Sequence, residues 1–163
     1  MAFDAFMKVD GIDGESTDDK HKDWIELISF SHGLVQPVSG SRSTSGAASS
    51  ERCDHQDFSI VKKLDKASPE LYLHCCHGRH IPKITVELCR ATADKTKYMA
   101  FDLEDVIVTS VMPSGTGGGD LPMENVTFNY GKITWSYTTT DHRTGKTGGE
   151  IVKFWDLTLN KGG

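Results

Sequence analysis

LEDVIVTSVMPSGTGGGDLPMENVTFNYGKITWSYTTTD, residues 103–141, is the stretch on which the fold turns. Its first part continues a β-branched run that begins at Tyr98 and ends at Val111, the composition of a long strand. Ser114-Gly115-Thr116-Gly117-Gly118-Gly119-Asp120 follows, a glycine-rich connection. Asn125 to Tyr130 and Lys132 to Thr140 then alternate as two further strands, with Gly131 read as the break between them. A hairpin-rich segment of this length points to a β domain.

Working outward, the same signals recur. Ala2 to Val9 reads as a first strand closed by the turn Asp10-Gly11, and the polar segment Asp13 to Asp23 as a loop. Trp24 to Leu34 reads as a second strand. Plain alternation puts Ile25, Leu27, Ser29 and Ser31 on one face, and Trp24, Glu26, Ile28, Phe30 and His32 on the other. Asp57 to Leu64, Lys83 to Arg90 and Glu150 to Asn160 complete the strands. A single helix opens at Ser68 as N-cap with Pro69 and Glu70 in its first turn, and closes at Gly78. The expected fold is therefore dominated by β structure: a β-barrel of about eight strands, one short flanking α-helix and a long extended loop, in a single domain over residues 1–163.

That loop, Gln36 to Arg52, shifts in composition to Ser, Gly and Ala. Such a stretch cannot bury enough apolar surface to order itself, so a mobile segment is expected in the lone chain. Loops of this length in small domains tend to carry function.

Bulk properties narrow the classes. Of the 163 residues 37% are hydrophobic and 25% charged, and the formal charge is −5. These are the proportions of a globular protein, and the acids and bases are interspersed. There is no basic patch for nucleic acid, and the longest apolar run, Asp105 to Met112, is far short of a membrane span. Met1 to Gly14 lacks the basic and apolar regions of a signal peptide, so synthesis and folding in the cytoplasm are expected. The four cysteines, Cys53, Cys75, Cys76 and Cys89, are accordingly read as reduced thiols.

Chemical motifs are incomplete. His74-Cys75-Cys76-His77 with Arg79-His80, and Cys53 and His55 upstream, resembles a metal patch. Adjacent cysteines on a helix, however, diverge by about 100°, and a second ligand pair at fixed spacing is missing. Gly145-Lys146-Thr147 has Thr140 where a phosphate loop needs glycine, and a strand follows instead of a helix. Ser59 to Lys62 matches S-x-x-K without its partner motifs. No catalytic residue, cofactor site or metal site is assigned, and the chain is expected not to be an enzyme.

Leu103 to Val111, Ser114 to Asp120 and Glu124 to Ile133, together with Phe6 to Val9, Gly14-Glu15-Ser16, Ile28 to Gly33, Ser68-Pro69 and Gly78 to Pro82, closely resemble the Hcp family in colinear order. These are the haemolysin-coregulated proteins, inner-tube subunits of bacterial type VI secretion machines. The resemblance implies a β-barrel whose six copies close into a ring. It further implies rings that stack into a tube, effector proteins carried in the lumen, and a contractile sheath and tip spike protein as partners. Export needs no signal peptide, so the protein is expected in the cytoplasm before firing and then outside the cell or in a target cell. Family members carry an extended loop after the second strand that meets the neighbouring subunit or ring. Gln36, Ser39, Ser41, Arg42, Ser43 and Arg52 occupy that place. Ser29 and Ser31 are expected on the lumen wall, in contact with cargo. Two other readings follow from the sequence: a stand-alone ring chaperone or adaptor for effectors, and a metal-dependent enzyme using the Cys/His patch.

Overall fold

The hairpin-rich segment forms two antiparallel strands of eighteen residues each. A computed structural model describes residues 2–39, 49–50 and 52–163. In chain order the strands are β1 (Phe3–Val9), β2 (Ile25–Leu27), β3 (Ser29–Ser31), β4 (Leu34–Val35), β5 (Val38–Ser39), β6 (Ser49–Ser50), β7 (Asp54–His55) and β8 (Phe58–Lys63). The helix α1 (Ser68–His77) is followed by β9 (Ile81–Arg90), β10 (Lys97–Ser114), β11 (Met123–Thr140), β12 (Thr147–Asp156) and β13 (Lys161–Gly162).

One nine-stranded sheet carries the architecture, with β13-β12-β11-β10-β9-β1-β2 in order and β8 pairing both β11 and β3. β2 and β3 are consecutive, separated only by Ile28, whose amide donates to the Val61 carbonyl at 2.8 Å. Followed through that residue, the pairing path β1–β9–β10–β11–β8–β3 returns through β2 to β1, curling the sheet on itself. Its interior holds Met7, Ile25, Phe58, Ile60, Ile84, Leu103, Val126, Phe128 and Ile133, none more than 1% exposed. The fold class read from the sequence is the one observed.

Four details differ from the sequence reading. Gly131 does not interrupt β11, which runs unbroken through it. A β-carbon there would lie 3.2 Å from an Asp105 carboxylate oxygen, so this glycine admits a close side chain and makes no turn. The helix N-cap is Ala67 without a side-chain bond. Ser68 is instead buried, with its hydroxyl donating to Glu124 Oε1 at 2.7 Å. The second strand is split at Ile28, which resets the alternation: Ile25 and Leu27 turn toward the core on one side of it, Phe30 and His32 on the other. Ser29 and Ser31 therefore do not share the face of Ile25 and Leu27; they point outward. The fourth difference is in the long loop. Its described ends are paired, Leu34 with His55 and Val35 with Asp54, then Val38 with Ser50 and Ser39 with Ser49.

Candidate functional site

Phe30 decides the orientation of the strand expected to meet cargo. Its ring packs 5.6 Å from Phe101 and 6.0 Å from Phe58, inside the barrel. Because side chains alternate along a strand, anchoring Phe30 inward forces Ser29 and Ser31 outward, and both are exposed. Residues directly opposite on paired strands share a face. Ser31 faces Ser59, Ser59 faces Thr127, and Thr127 faces Ser110. Hydroxyl side chains thus line up across β3, β8, β11 and β10.

Hydrogen bonds knit this row. Ser59 donates to Asn125 Oδ1 at 2.9 Å, and the Thr109 and Thr127 hydroxyls are 2.7 Å apart. Thr109 also donates to Asp57 Oδ2 at 2.7 Å, and Asn129 Nδ2 donates to Asp57 Oδ1 at 3.2 Å. The pairing of β10 with β11 shifts between Val108 and Ser110, and this irregularity brings both Thr109 and Ser110 to Thr127. Ser59, Asn125, Thr127, Thr109 and Ser110 are thus bonded within the row, with Ser31 beside them and the Asp57 carboxylate at the edge. Of this row, only Ser29 and Ser31 stand out in the sequence. Ser59, Thr109, Asn125 and Thr127 were legible as the polar parity of their strands, had the strand order been known.

The base of the extended loop is tied to the barrel by a second group. The Tyr130 hydroxyl lies 2.7 Å from His32 Nε2 and 2.9 Å from His55 Nδ1. Burial pushes both imidazoles below the ordinary histidine range. The His55 charge adds to that shift at His32, and Asp54 opposes it at His55. Burial also raises the Tyr130 phenol, so it stays protonated and bridges two neutral rings.

Of the residues expected to contact a neighbouring ring, Gln36 is exposed with Nε2 donating to the Pro37 carbonyl at 3.3 Å, and Arg52 is exposed. Ser39 lies in β5 opposite Ser49. Ser41, Arg42 and Ser43 lie outside the described residues. In the Cys/His patch, His74 Nδ1 donates to the Glu70 carbonyl at 2.8 Å and His80 pairs with Asp105 at 2.5 Å. Cys75 packs against the core while Cys76 is exposed. All four cysteines are free thiols. Among the described residues, no helix is long and apolar enough to cross a membrane.

The family model "Type VI secretion system effector, Hcp" matches residues 6–137. The chain belongs to the Hcp family. It is similar to protein hcp1 of Pseudomonas aeruginosa, 32% identical over 161 residues that cover 98% of each chain. It is also similar to the major exported protein of the same organism, 29% identical over 132 residues covering 76% of this chain and 74% of that protein. A solved type six secretion system protein superposes with a TM-score of 0.93 at 36% identity, covering 99% of this chain and 100% of the other. Hcp proteins are secreted components of the type VI secretion tube and not enzymes.

This Hcp chain also holds a buried ion-pair network absent from the sequence reading. Lys62 Nζ lies 2.5 Å from Glu124 Oε1 and 2.7 Å from Asp65 Oδ1. Tyr72 donates to Glu124 Oε2 at 2.6 Å, linking α1 to β11. Burial drives the Glu124 carboxyl up, but bonds from Lys62, Tyr72 and Ser68, with the Lys62 charge, bring it below its ordinary value. The available signal was Lys62 itself, which follows Phe58 and Ile60 at inward parity.

Proposed function

We propose that this chain closes into hexameric rings that stack into the secreted inner tube, and that effectors ride in its lumen against the Ser29–Ser31 face. The observation that carries this reading is the hydroxyl row through Ser31. A wall of small, internally bonded, nearly uncharged groups lets folded cargo bind or pass without paying to desolvate fixed charges. Contacts between subunits have their own support. Tyr137, Ile151 and Val152 are each about half exposed on the β11–β12 ribbon, and β12 is paired by β13 only at Trp155 and Asp156. The remaining edge of β12, from Thr147 to Lys153, is unpaired, and such edges are ready templates for a neighbour. A ring closes when one face of a protomer meets a different face of the next. Gln36 and Arg52, both exposed beside the loop strands, are the contacts proposed for an adjacent ring, and the sheath and tip spike protein are the further partners. Residence in the cytoplasm before firing completes the proposal.

Native mass measurement followed by electron microscopy of the purified protein tests it. Six-subunit rings that stack end to end are expected. A monomer under all conditions overturns the reading, and isolated rings that never stack point to a free-standing adaptor for effectors instead.

A further inference from the structure

The loop over residues 13–24 is closed on itself by Gly14 N–H to the Asp23 carbonyl at 2.8 Å and Ser16 N–H to the Trp24 carbonyl at 3.0 Å, and meets β1 and β9 through His21. It drives one histidine under cover. His21 is 3% exposed, stacked 4.2 Å from the Phe6 ring with Trp24 edge-on at 4.8 Å. The two ring nitrogens point opposite ways. Nδ1 lies 2.7 Å from Asp18 Oδ1, and the other Asp18 oxygen accepts from Lys95 Nζ at 2.7 Å. Nε2 faces Glu87 Oε2 at 2.7 Å and Cys89 Sγ at 3.9 Å. Glu87 and Cys89 are two apart on β9 and so present to the same side.

We propose that His21 Nε2, the Glu87 carboxylate and Cys89 Sγ form a binding site for one divalent transition-metal ion of the zinc type. The three atoms already lie within 4.8 Å of one another. Ligands about 2.0–2.3 Å from a tetrahedral zinc stand roughly 3.3–3.8 Å apart, so Nε2 and Oε2 need separate by only about half an ångström. Asp18 on Nδ1 is the outer carboxylate that fixes the tautomer and orientation of a metal-bound histidine. The fourth position faces a cleft of about 650 Å³, bordered by Lys20, Trp24 and Lys95, that admits the ion and a water.

Metal ligands bind in their deprotonated forms, so protons leave the site as the ion enters. The Cys75–Cys76 patch has no comparable convergence among the described residues.

The test uses the full-length protein, reduced and stripped with chelator, titrated with Co²⁺ alone and then displaced with Zn²⁺. Expected are one equivalent bound, a thiolate-to-cobalt charge-transfer band, and release of protons in weak buffer. Cys89→Ser abolishes the band, whereas Cys75→Ser with Cys76→Ser keeps it. Asp18→Asn keeps the band but weakens affinity by about 10–100-fold. Circular dichroism confirms folding, and Glu87→Gln substitutes if Cys89→Ser does not fold, with affinity then falling at least about tenfold. Absence of any band, its survival in Cys89→Ser, or its loss with the Cys75/Cys76 pair overturns the assignment.

Discussion

The Lys62 ammonium and the Glu124 carboxylate meet at 2.5 Å with neither side chain reachable by solvent. They hold α1 to β11, because Ser68 and Tyr72 donate to the same carboxylate from the helix. Removing one partner leaves the other charge buried and unpaired. Lys62→Met should cost about 3–5 kcal/mol, and Lys62→Met with Glu124→Leu markedly less. Urea unfolding at fixed protein concentration measures both; a cost below about 1 kcal/mol for the single change sinks the account.

Acid sensitivity has the same source. The folded Glu124 carboxyl titrates below its ordinary value, so its contribution is present above the unfolded pKa of about 4.3 and is lost as pH falls through the folded value. The double variant should show a shallower loss of stability below pH of about 4.5 than the parent. Parallel acid titrations by tryptophan fluorescence check this, and superimposable curves rule it out.

The Tyr130 bridge responds at milder pH. His32 and His55 are both held below the usual histidine range. The unfolded chain then binds more protons, and stability present above about pH 6.5 declines as pH falls through that value. Tyr130→Phe should lose roughly 1 kcal/mol near neutrality by removing the hydroxyl that the two half-buried rings share. His32→Gln with His55→Gln should flatten the decline between about pH 7 and 5. Melting temperatures across that range decide, and a double variant as pH-sensitive as the parent is the adverse result.

Ser31→Gln projects a longer amide from the hydroxyl row without touching the core, since Phe30 carries the packing. Rings should form normally, and a co-expressed effector from the same secretion cluster should no longer copurify. Loss of rings, or undiminished effector, argues against a lumen position for Ser31.

Ile151 is 56% exposed on the unpaired edge of β12. Ile151→Lys should leave the monomer folded and shift the mass distribution from ring to single chains, as gatekeeping charges do on natural edges. Unaltered ring mass in light scattering places the subunit contact elsewhere.

Strand identity was legible because β-branched alternation in Lys83–Arg90 and Tyr98–Val111 has one physical meaning. Local exceptions were not. Gly131 carries the signal of a turn but answers to Asp105 across the ladder, a contact made by residues 26 apart. Ile28 has no glycine or proline to announce a bend, so Ser29 and Ser31 were grouped with the wrong neighbours while still reaching solvent. Lys62 broke the apolar parity of its strand, and its partners Asp65 and the sequence-distant Glu124 explain it. The histidines drew notice at His74–His80, where three sit close in sequence. His21 waits on Glu87 and Cys89, which only β9 and the covering loop bring to it.

β11 belongs to two structures at once. Its first half, Met123 to Phe128, pairs with β8 in the barrel, and its second half, Lys132 to Thr140, pairs with β12 in the exposed ribbon. No loop separates them, and β10 runs alongside from Met99 to Ser114. Eighteen residues at about 3.3 Å each make a girder of roughly 60 Å. The arm is built as a continuation of the wall, with no loop between the two. A load applied at the ribbon therefore passes into the barrel along hydrogen-bonded backbone.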